Sequence, residues 1–171
     1  MAKVKGKFIS LACSLMSMYP EEQIKADEYL KKETNLGWIE LDPEGWYETK
    51  IFNEVMELYA KSSLTGSNAI ITLGKKVYPT IKRTAGIPDN IKTPSDFIKY
   101  EAEGFLLNHQ GDDVIPRKIL KEADKEIVVQ APAPGYNELL YQGVFLGILE
   151  MCGITTGKVE NTGNSTFKIT W

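Results

Sequence analysis

The spacing of apolar residues changes at Gly111, and this change constrains the fold more than any other feature of the chain. Before Gly111, apolar residues recur every three to four positions, as they do on one face of a helix. After it, short apolar or alternating segments separated by polar turns are typical of β-hairpins. One helical pattern, over 136–151, lies between the two hairpins. This order predicts an α+β fold in which helices back an antiparallel sheet.

Turn and capping residues divide the first part into helices. Pro20 is expected to begin one helix, and 85–88 is expected to end another. The clearest start signal is Thr93-Pro94-Ser95-Asp96, in which Thr93 caps the helix, Pro94 takes the first helical position and Asp96 approximates a capping box. We expect this helix to run to about Gln110, where Gly111 ends it.

The second part contains two predicted hairpins. Residues 115–120 and 126–130 flank a polar turn, and 158–160 and 166–171 form a second pair. Apolar and polar residues alternate in the last segment, which indicates one buried and one solvated face. In the helix between the hairpins, Gly143 and Gly147 allow close approach of a neighbour.

The chain has 171 residues, enough for one domain. We therefore predict a single domain, 1–171, with a helical part over 1–90 and a helix-plus-sheet part over 91–171. The net charge of −3 provides no basic field, so nucleic-acid binding is not expected. No stretch approaches the roughly 20 apolar residues of a membrane span.

The two cysteines, Cys13 and Cys152, are far apart and form no CxxC motif, which favours a reducing, cytoplasmic location. Three lysines at 3, 5 and 7 precede an apolar run, as in a signal peptide. That run is short, and its apolar residues recur at helical spacing, so a core helix is the better interpretation.

No enzyme motif is complete. Residues 153–158 resemble a phosphate loop, but one residue is missing between the glycines and Val159 replaces the Ser or Thr. Cys152 follows an apolar helix and is interpreted as a structural thiol. Because no nucleophile, base and orienting group can be assembled, we do not expect an enzyme.

His109 is the one histidine of the chain, and it falls on a helix face with Ile98, Ala102 and Phe105. One interpretation is a helix-end histidine that hydrogen-bonds a carbonyl or a water. The other is an axial ligand to heme iron, which needs only one imidazole on an apolar helix face.

The succession of elements resembles the heme-nitric-oxide/oxygen-binding (H-NOX) domain over nearly the whole chain. The resemblance rests on five segments: Lys5-Gly6-Lys7-Phe8-Ile9, a helix that ends near Leu73-Gly74, the start of the helix at Thr93, Ile115-Pro116-Arg117 before a hairpin, and the helix from Tyr141 to Leu149 followed by two strands. The chain is also similar to the wider superfamily of 4-vinyl-reductase-like domains and small TRAPP vesicle-tethering subunits. The resemblance implies a helical half packed on an antiparallel sheet.

The same resemblance places residues at the family's heme positions. The proximal histidine position corresponds to Phe105, with His109 one turn later. The Tyr-x-Ser-x-Arg motif, which holds the heme propionates, corresponds to the stretch that starts at Tyr136 and has no Arg. Glu138 in that stretch would repel a propionate. The resemblance thus implies a fold whose usual heme ligands are lost, with heme possible only through His109 and the cofactor otherwise unknown.

Three hypotheses follow. The first is a non-enzymatic sensory or regulatory domain that binds a signalling protein or a small apolar ligand, in a pocket lined by Phe97, Phe105, His109, Tyr141 and Phe145. The second is a heme-based NO or CO sensor with His109 as axial ligand, acting on a separate kinase or cyclase. The third is a dimerising assembly module resembling the TRAPP subunits, with the Gly143 and Gly147 helix face or an exposed aromatic surface at its interface.

Overall fold

Helices occupy most of the chain before Gly111, whereas four strands and one helix follow it. The computed structural model describes residues 1–171. The six helices are α1 (Gly6–Leu15), α2 (Pro20–Thr34), α3 (Thr49–Ser62), α4 (Asn68–Thr84), α5 (Pro94–Asn108) and α6 (Leu139–Met151). The seven strands are β1 (Lys3–Lys5), β2 (Trp46–Glu48), β3 (His109–Gln110), β4 (Lys118–Ala123), β5 (Glu126–Gln130), β6 (Lys158–Gly163) and β7 (Thr166–Thr170).

The second part forms a four-stranded antiparallel sheet in the order β4-β5-β7-β6. The alternating apolar residues of the central strands β5 and β7 are fully buried on one face of this sheet, namely Ile127, Val129, Phe167 and Ile169. Helix α6 lies on this face, where the Phe145 and Phe167 rings are 5.6 Å apart. The α+β class and the alternation of the last strand are therefore confirmed.

The backbones of α4 and α6 make a very close contact, and glycines permit it. A Cβ atom at Gly143 would lie 2.1 Å from the Ile71 carbonyl oxygen, and one at Gly147 would lie 2.6 Å from the Lys75 carbonyl oxygen. Gly74 on α4 is equally confined. The expected close approach at Gly143 and Gly147 is confirmed, but because α4 covers this face, it is not free to form a dimer.

Helix α5 begins where the sequence predicts but ends earlier than predicted. The predicted capping box of α5 is present, with the Thr93 Oγ1 atom 3.2 Å from the Asp96 amide and the Asp96 Oδ2 atom 2.9 Å from the Thr93 amide. The helix ends at Asn108, however, and not at Gln110. His109 and Gln110 instead form β3, which pairs with β1.

A second sheet, in the order β2-β1-β3, was not predicted. Its strands have two or three residues, too short to show an alternating pattern. The chain start that was expected to precede a helix is strand β1, and the helix begins at Gly6. Strand β4 likewise begins three residues after the predicted 115, because Pro116 has no amide to donate to a strand partner.

One hydrophobic core of 35 buried residues runs through both parts of the chain, from Val4 in β1 to Ile169 in β7. It contains the apolar face of α3, namely Phe52, Val55, Met56 and Tyr59. None of the helices combines the length and apolar character needed to cross a lipid bilayer.

The close contact at the α6 glycines predicts that two helical Gly→Ala substitutions change the free energy of unfolding by different amounts. Gly143→Ala should lower the free energy of unfolding by about 1–3 kcal/mol or more, because the new methyl group would overlap the Ile71 carbonyl. Gly104→Ala in α5 is the matched control, since the nearest atom to its new Cβ is the Tyr78 hydroxyl at 3.9 Å. It should be neutral or stabilising by up to about 1 kcal/mol. Urea unfolding of both variants checks this, and equal effects would contradict the packing.

Candidate functional site

A small cavity lies at the centre of the helical packing, between α1, α3, α4, α5 and α6. Its volume is about 40 Å³. Since a water-sized group needs roughly 10–15 Å³, the cavity has room for about three such groups. Most of its lining is apolar, and the polar lining side chains include Tyr78, Glu101, Asn108, His109, Tyr136 and Tyr141.

A larger groove adjoins the cavity on its outer side. It has a volume of about 620 Å³ and runs between α1, α4 and α5. Its apolar lining includes Leu11, Ile81 and Leu107, and Leu107 is 75% exposed. The groove shares six lining residues with the cavity, which are Phe8, Val77, Tyr78, Ile81, Gly104 and Asn108. The two spaces together are of the size usual for a small-molecule site.

The imidazole of His109 lies against the cavity and is held at both ring nitrogens. Its Nδ1 atom is 3.0 Å from the Phe105 carbonyl oxygen in the last turn of α5. A carbonyl oxygen only accepts, so Nδ1 carries the proton and donates it. The Nε2 atom is then the acceptor, and it lies 2.9 Å from the Tyr136 hydroxyl. His109 therefore satisfies a free helix carbonyl, as one of the two interpretations predicts.

These roles fix the direction of a longer chain of hydrogen bonds. Because the Tyr136 hydroxyl gives its one proton to His109, it accepts the hydrogen bond from the adjacent Tyr141 hydroxyl. Burial raises the pKa of both tyrosines, so both remain protonated at neutral pH. The chain runs from Tyr141 through Tyr136 and His109 to the backbone of Phe105, and leaves no donor in it unused.

Burial also determines the charge of His109. The pKa of the imidazole is lowered from 6.5 to about 3, chiefly because burial disfavours the cation, and the positive charge of Arg117 adds to the effect. The Phe105 carbonyl opposes this shift without reversing it. His109 is thus neutral over the physiological range.

Arg117 is the buried charge of the site, with a side chain that is 0% exposed. Its guanidinium carbon lies 3.5 Å from the ring centroid of Phe105 and 3.9 Å from that of Tyr141, so the cation is held between two aromatic rings. Its Nη1 atom donates to the Pro132 carbonyl oxygen at 2.8 Å. The surrounding acceptors keep the guanidinium charged, with its pKa raised further.

Glu101 on α5 balances this charge. Its Oε1 atom lies 3.4 Å from the Arg117 Nε atom. Burial raises the pKa of the Glu101 carboxyl, and the nearby guanidinium opposes that rise. The Glu101 Oε2 atom and the Arg117 Nη2 atom are buried with no hydrogen-bond partner. Of the two residues, Glu101 lines the cavity.

The structure brings together three of the five residues proposed for the pocket. Phe105, His109 and Tyr141 line the cavity, whereas Phe97 and Phe145 are buried but do not line it. The sequence reasoning missed Glu101 and Arg117 as site residues. No local pattern marked them, since they are 16 residues apart on different elements.

The residues at the predicted propionate motif have partners elsewhere. Glu138 hydrogen-bonds the Ser165 hydroxyl next to β7. The Asn137 Nδ2 atom donates to Glu57 at 3.2 Å, and its Oδ1 atom accepts from the first amide of α6 at 3.0 Å. This second bond satisfies the first free amide of α6, which begins at Leu139 and not at 136.

Solved structures share this fold at low sequence identity. An Fe(II) unliganded H-NOX protein mutant from K. algicida superposes with a TM-score of 0.68 and 13% identity, over 97% of this chain and 95% of that chain. The Fe(II) unliganded H-NOX protein from K. algicida has a TM-score of 0.62 and 10% identity, over 96% of this chain and 94% of that chain. A structure concerned with heme distortion in the H-NOX family has a TM-score of 0.64 and 11% identity, over 96% of this chain and 91% of that chain.

No protein-family model matches the chain, and no curated protein matches it by sequence. The structural likeness nevertheless extends over almost the full length of both partners in each comparison. The chain therefore has an H-NOX-like fold, as the sequence resemblance implied.

The site residues do not fit the heme that this fold implies. Both ring nitrogens of His109 are engaged within the protein, and the space beside the ring is about 40 Å³, too small for a porphyrin. Phe105, which the sequence resemblance aligns with the proximal histidine, carries no ligating atom and has the Arg117 guanidinium on its face. The residues that would pair with propionates are a carboxylate and an amide with other partners.

The neutral state of His109 predicts acid sensitivity. Its pKa is near 6.5 in the unfolded chain and about 3 in the folded one, so as pH falls below 6.5 the unfolded chain binds a proton first. Stability that is fully present above pH 6.5 is lost progressively toward pH 3. Between pH 7 and pH 5 the free energy of unfolding should fall by about 2 kcal/mol more in the wild type than in His109→Gln. Equal pH slopes in urea unfolding would contradict a buried, neutral imidazole.

Proposed function

We propose that the chain is a non-enzymatic sensory or regulatory domain on the H-NOX fold that acts without iron-ligated heme. Its input is a small, mainly apolar ligand at the groove and inner cavity. The observation that supports this most strongly is the engagement of His109, whose two nitrogens bind Phe105 and Tyr136. With its imidazole used internally, the fold keeps a lined space but no free metal ligand.

The polar groups next to the cavity offer a route by which binding is transmitted. Glu101 on α5 binds Arg117, and Arg117 in turn binds the Pro132 carbonyl, which follows β5. A ligand that changes the spacing of α4 and α5 would move Glu101. Through Arg117 this movement would reach the four-stranded sheet, whose outer face is available to a protein partner such as a kinase or cyclase encoded separately.

The competing function is a heme-dependent gas sensor. An absorbance spectrum distinguishes it from the proposed function, because ligated heme gives a sharp Soret band. After reconstitution with hemin and removal of the excess, the wild type should show no sharp Soret band, because both ring nitrogens of the one histidine are engaged within the protein. His109→Ala should give the same featureless spectrum. A heme-binding H-NOX protein treated in parallel is the positive control.

A sharp Soret band in the wild type that is lost in His109→Ala would contradict the proposal and make His109 an axial ligand. Circular dichroism of both proteins before reconstitution shows that the comparison is made between folded chains.

A further inference from the structure

Two features of the site indicate which chemical class of ligand it binds, and the proposed function alone does not explain them. One is Gly104 in α5, and the other is the unpartnered oxygen of Glu101. We infer that the site takes a neutral, mostly apolar small molecule with a single O–H or N–H donor. Its body would lie in the groove, and its donor would pass Gly104 to reach the Glu101 Oε2 atom. This inference rests on the proposed function and specifies its ligand.

Gly104 differs from the other interior helical glycines of the chain. Gly74, Gly143 and Gly147 each face a backbone atom closer than 3 Å to the position of a Cβ. At Gly104, the nearest atom to that position is the Tyr78 hydroxyl, at 3.9 Å, and φ is not positive. A glycine inside a helix costs about 1 kcal/mol relative to alanine. No packing contact requires this cost, and the residue lies on the boundary shared by groove and cavity.

The missing side chain leaves open space between α5 and α4 at that boundary. On the outer side, the groove offers apolar surface that is exposed, such as Leu107. On the inner side, the cavity of about 40 Å³ admits a hydroxyl or an N–H group with one or two neighbouring atoms, but no ring system. The shape therefore fits a molecule with a bulky apolar end and a small polar end.

The residues that line the cavity also determine which polar group of a ligand fits there. The Glu101 carboxylate lines the cavity, and its buried Oε2 atom accepts no hydrogen bond, so a ligand donor would supply a hydrogen bond that the protein does not. The hydrogen-bond chain from Tyr141 to Phe105 has no unused donor, so a ligand acceptor finds no partner in it. The Tyr78 hydroxyl also lines the cavity and can meet a ligand oxygen, but only a ligand donor supplies the hydrogen bond that the Glu101 carboxylate lacks.

Charge excludes the ionic alternatives. The Arg117 guanidinium, 3.4 Å from Glu101, already balances the carboxylate. A cationic ligand would add an uncompensated positive charge in a buried site, and an anionic ligand would face the carboxylate directly. A neutral alcohol, phenol or indole-type N–H avoids both costs.

Paired probes that differ only in the donor provide the test. We expect 1-naphthol and indole to bind the wild-type chain in isothermal titration calorimetry. Their methylated counterparts, 1-methoxynaphthalene and N-methylindole, keep the apolar body but lose the donor, and should bind roughly tenfold more weakly.

Substitutions on α5 test whether the ligand binds at the boundary between the groove and the cavity. Gly104→Leu extends a side chain into the shared boundary and should weaken binding of both donor probes by tenfold or more. Glu103→Leu is the matched control, since it adds the same side chain at an exposed neighbouring position that lines neither the groove nor the cavity, and its affinity should stay within about twofold of the wild type. Thermal unfolding of each variant verifies that it is folded.

Each contrary result has a distinct meaning. If the methylated probes bind as tightly as their parents, and Gly104→Leu weakens all four, the donor requirement is wrong while the ligand-binding function stands. If Gly104→Leu binds like the wild type, or no probe binds, the inferred site is wrong. The proposed absence of ligated heme fails separately, through the appearance of a Soret band.

Discussion

The site depends on one buried cation. The Arg117 guanidinium lies between the rings of Phe105 and Tyr141, binds Glu101, and donates to the Pro132 carbonyl. It thereby joins α5, α6 and the loop after β5 at a single point. Removing one partner of a buried ion pair costs about 3–5 kcal/mol, since the other charge is left without compensation. This pair therefore fixes the position of α5, and with it the width of the space between α5 and α4.

The same arrangement explains why the residues of the site do not fit a heme. A free histidine at the end of α5 would be a candidate ligand for iron. Here the helix stops at Asn108, and His109 turns its Nδ1 atom back to the Phe105 carbonyl and its Nε2 atom to Tyr136. The imidazole is neutral because the nearby guanidinium and the lack of water both oppose its protonation. What remains is a small cavity next to an open apolar groove.

Much of the fold was predictable because its signals are local. The capping residues at Thr93 and Asp96, the alternation in β7 and the glycines of α6 each report on neighbours within a few residues or on one helix face. The three short strands of the first sheet were not predictable, since two or three residues show no period. The site was predictable only in part. His109 was found because it is the chain's one histidine, whereas the pairing of Glu101 with Arg117 joins different elements, and nothing in either local sequence shows it.

The single histidine allows a direct measurement of the central claim, that the imidazole is neutral and engaged at both nitrogens. In a sample labelled with ¹⁵N only in histidine, the spectrum contains one imidazole, that of His109. We predict a protonated Nδ1 and an unprotonated Nε2 at neutral pH, unchanged on acidification to about pH 5 because the pKa is about 3. An Nε2-protonated tautomer, or a titration with an ordinary histidine pKa, would contradict the account.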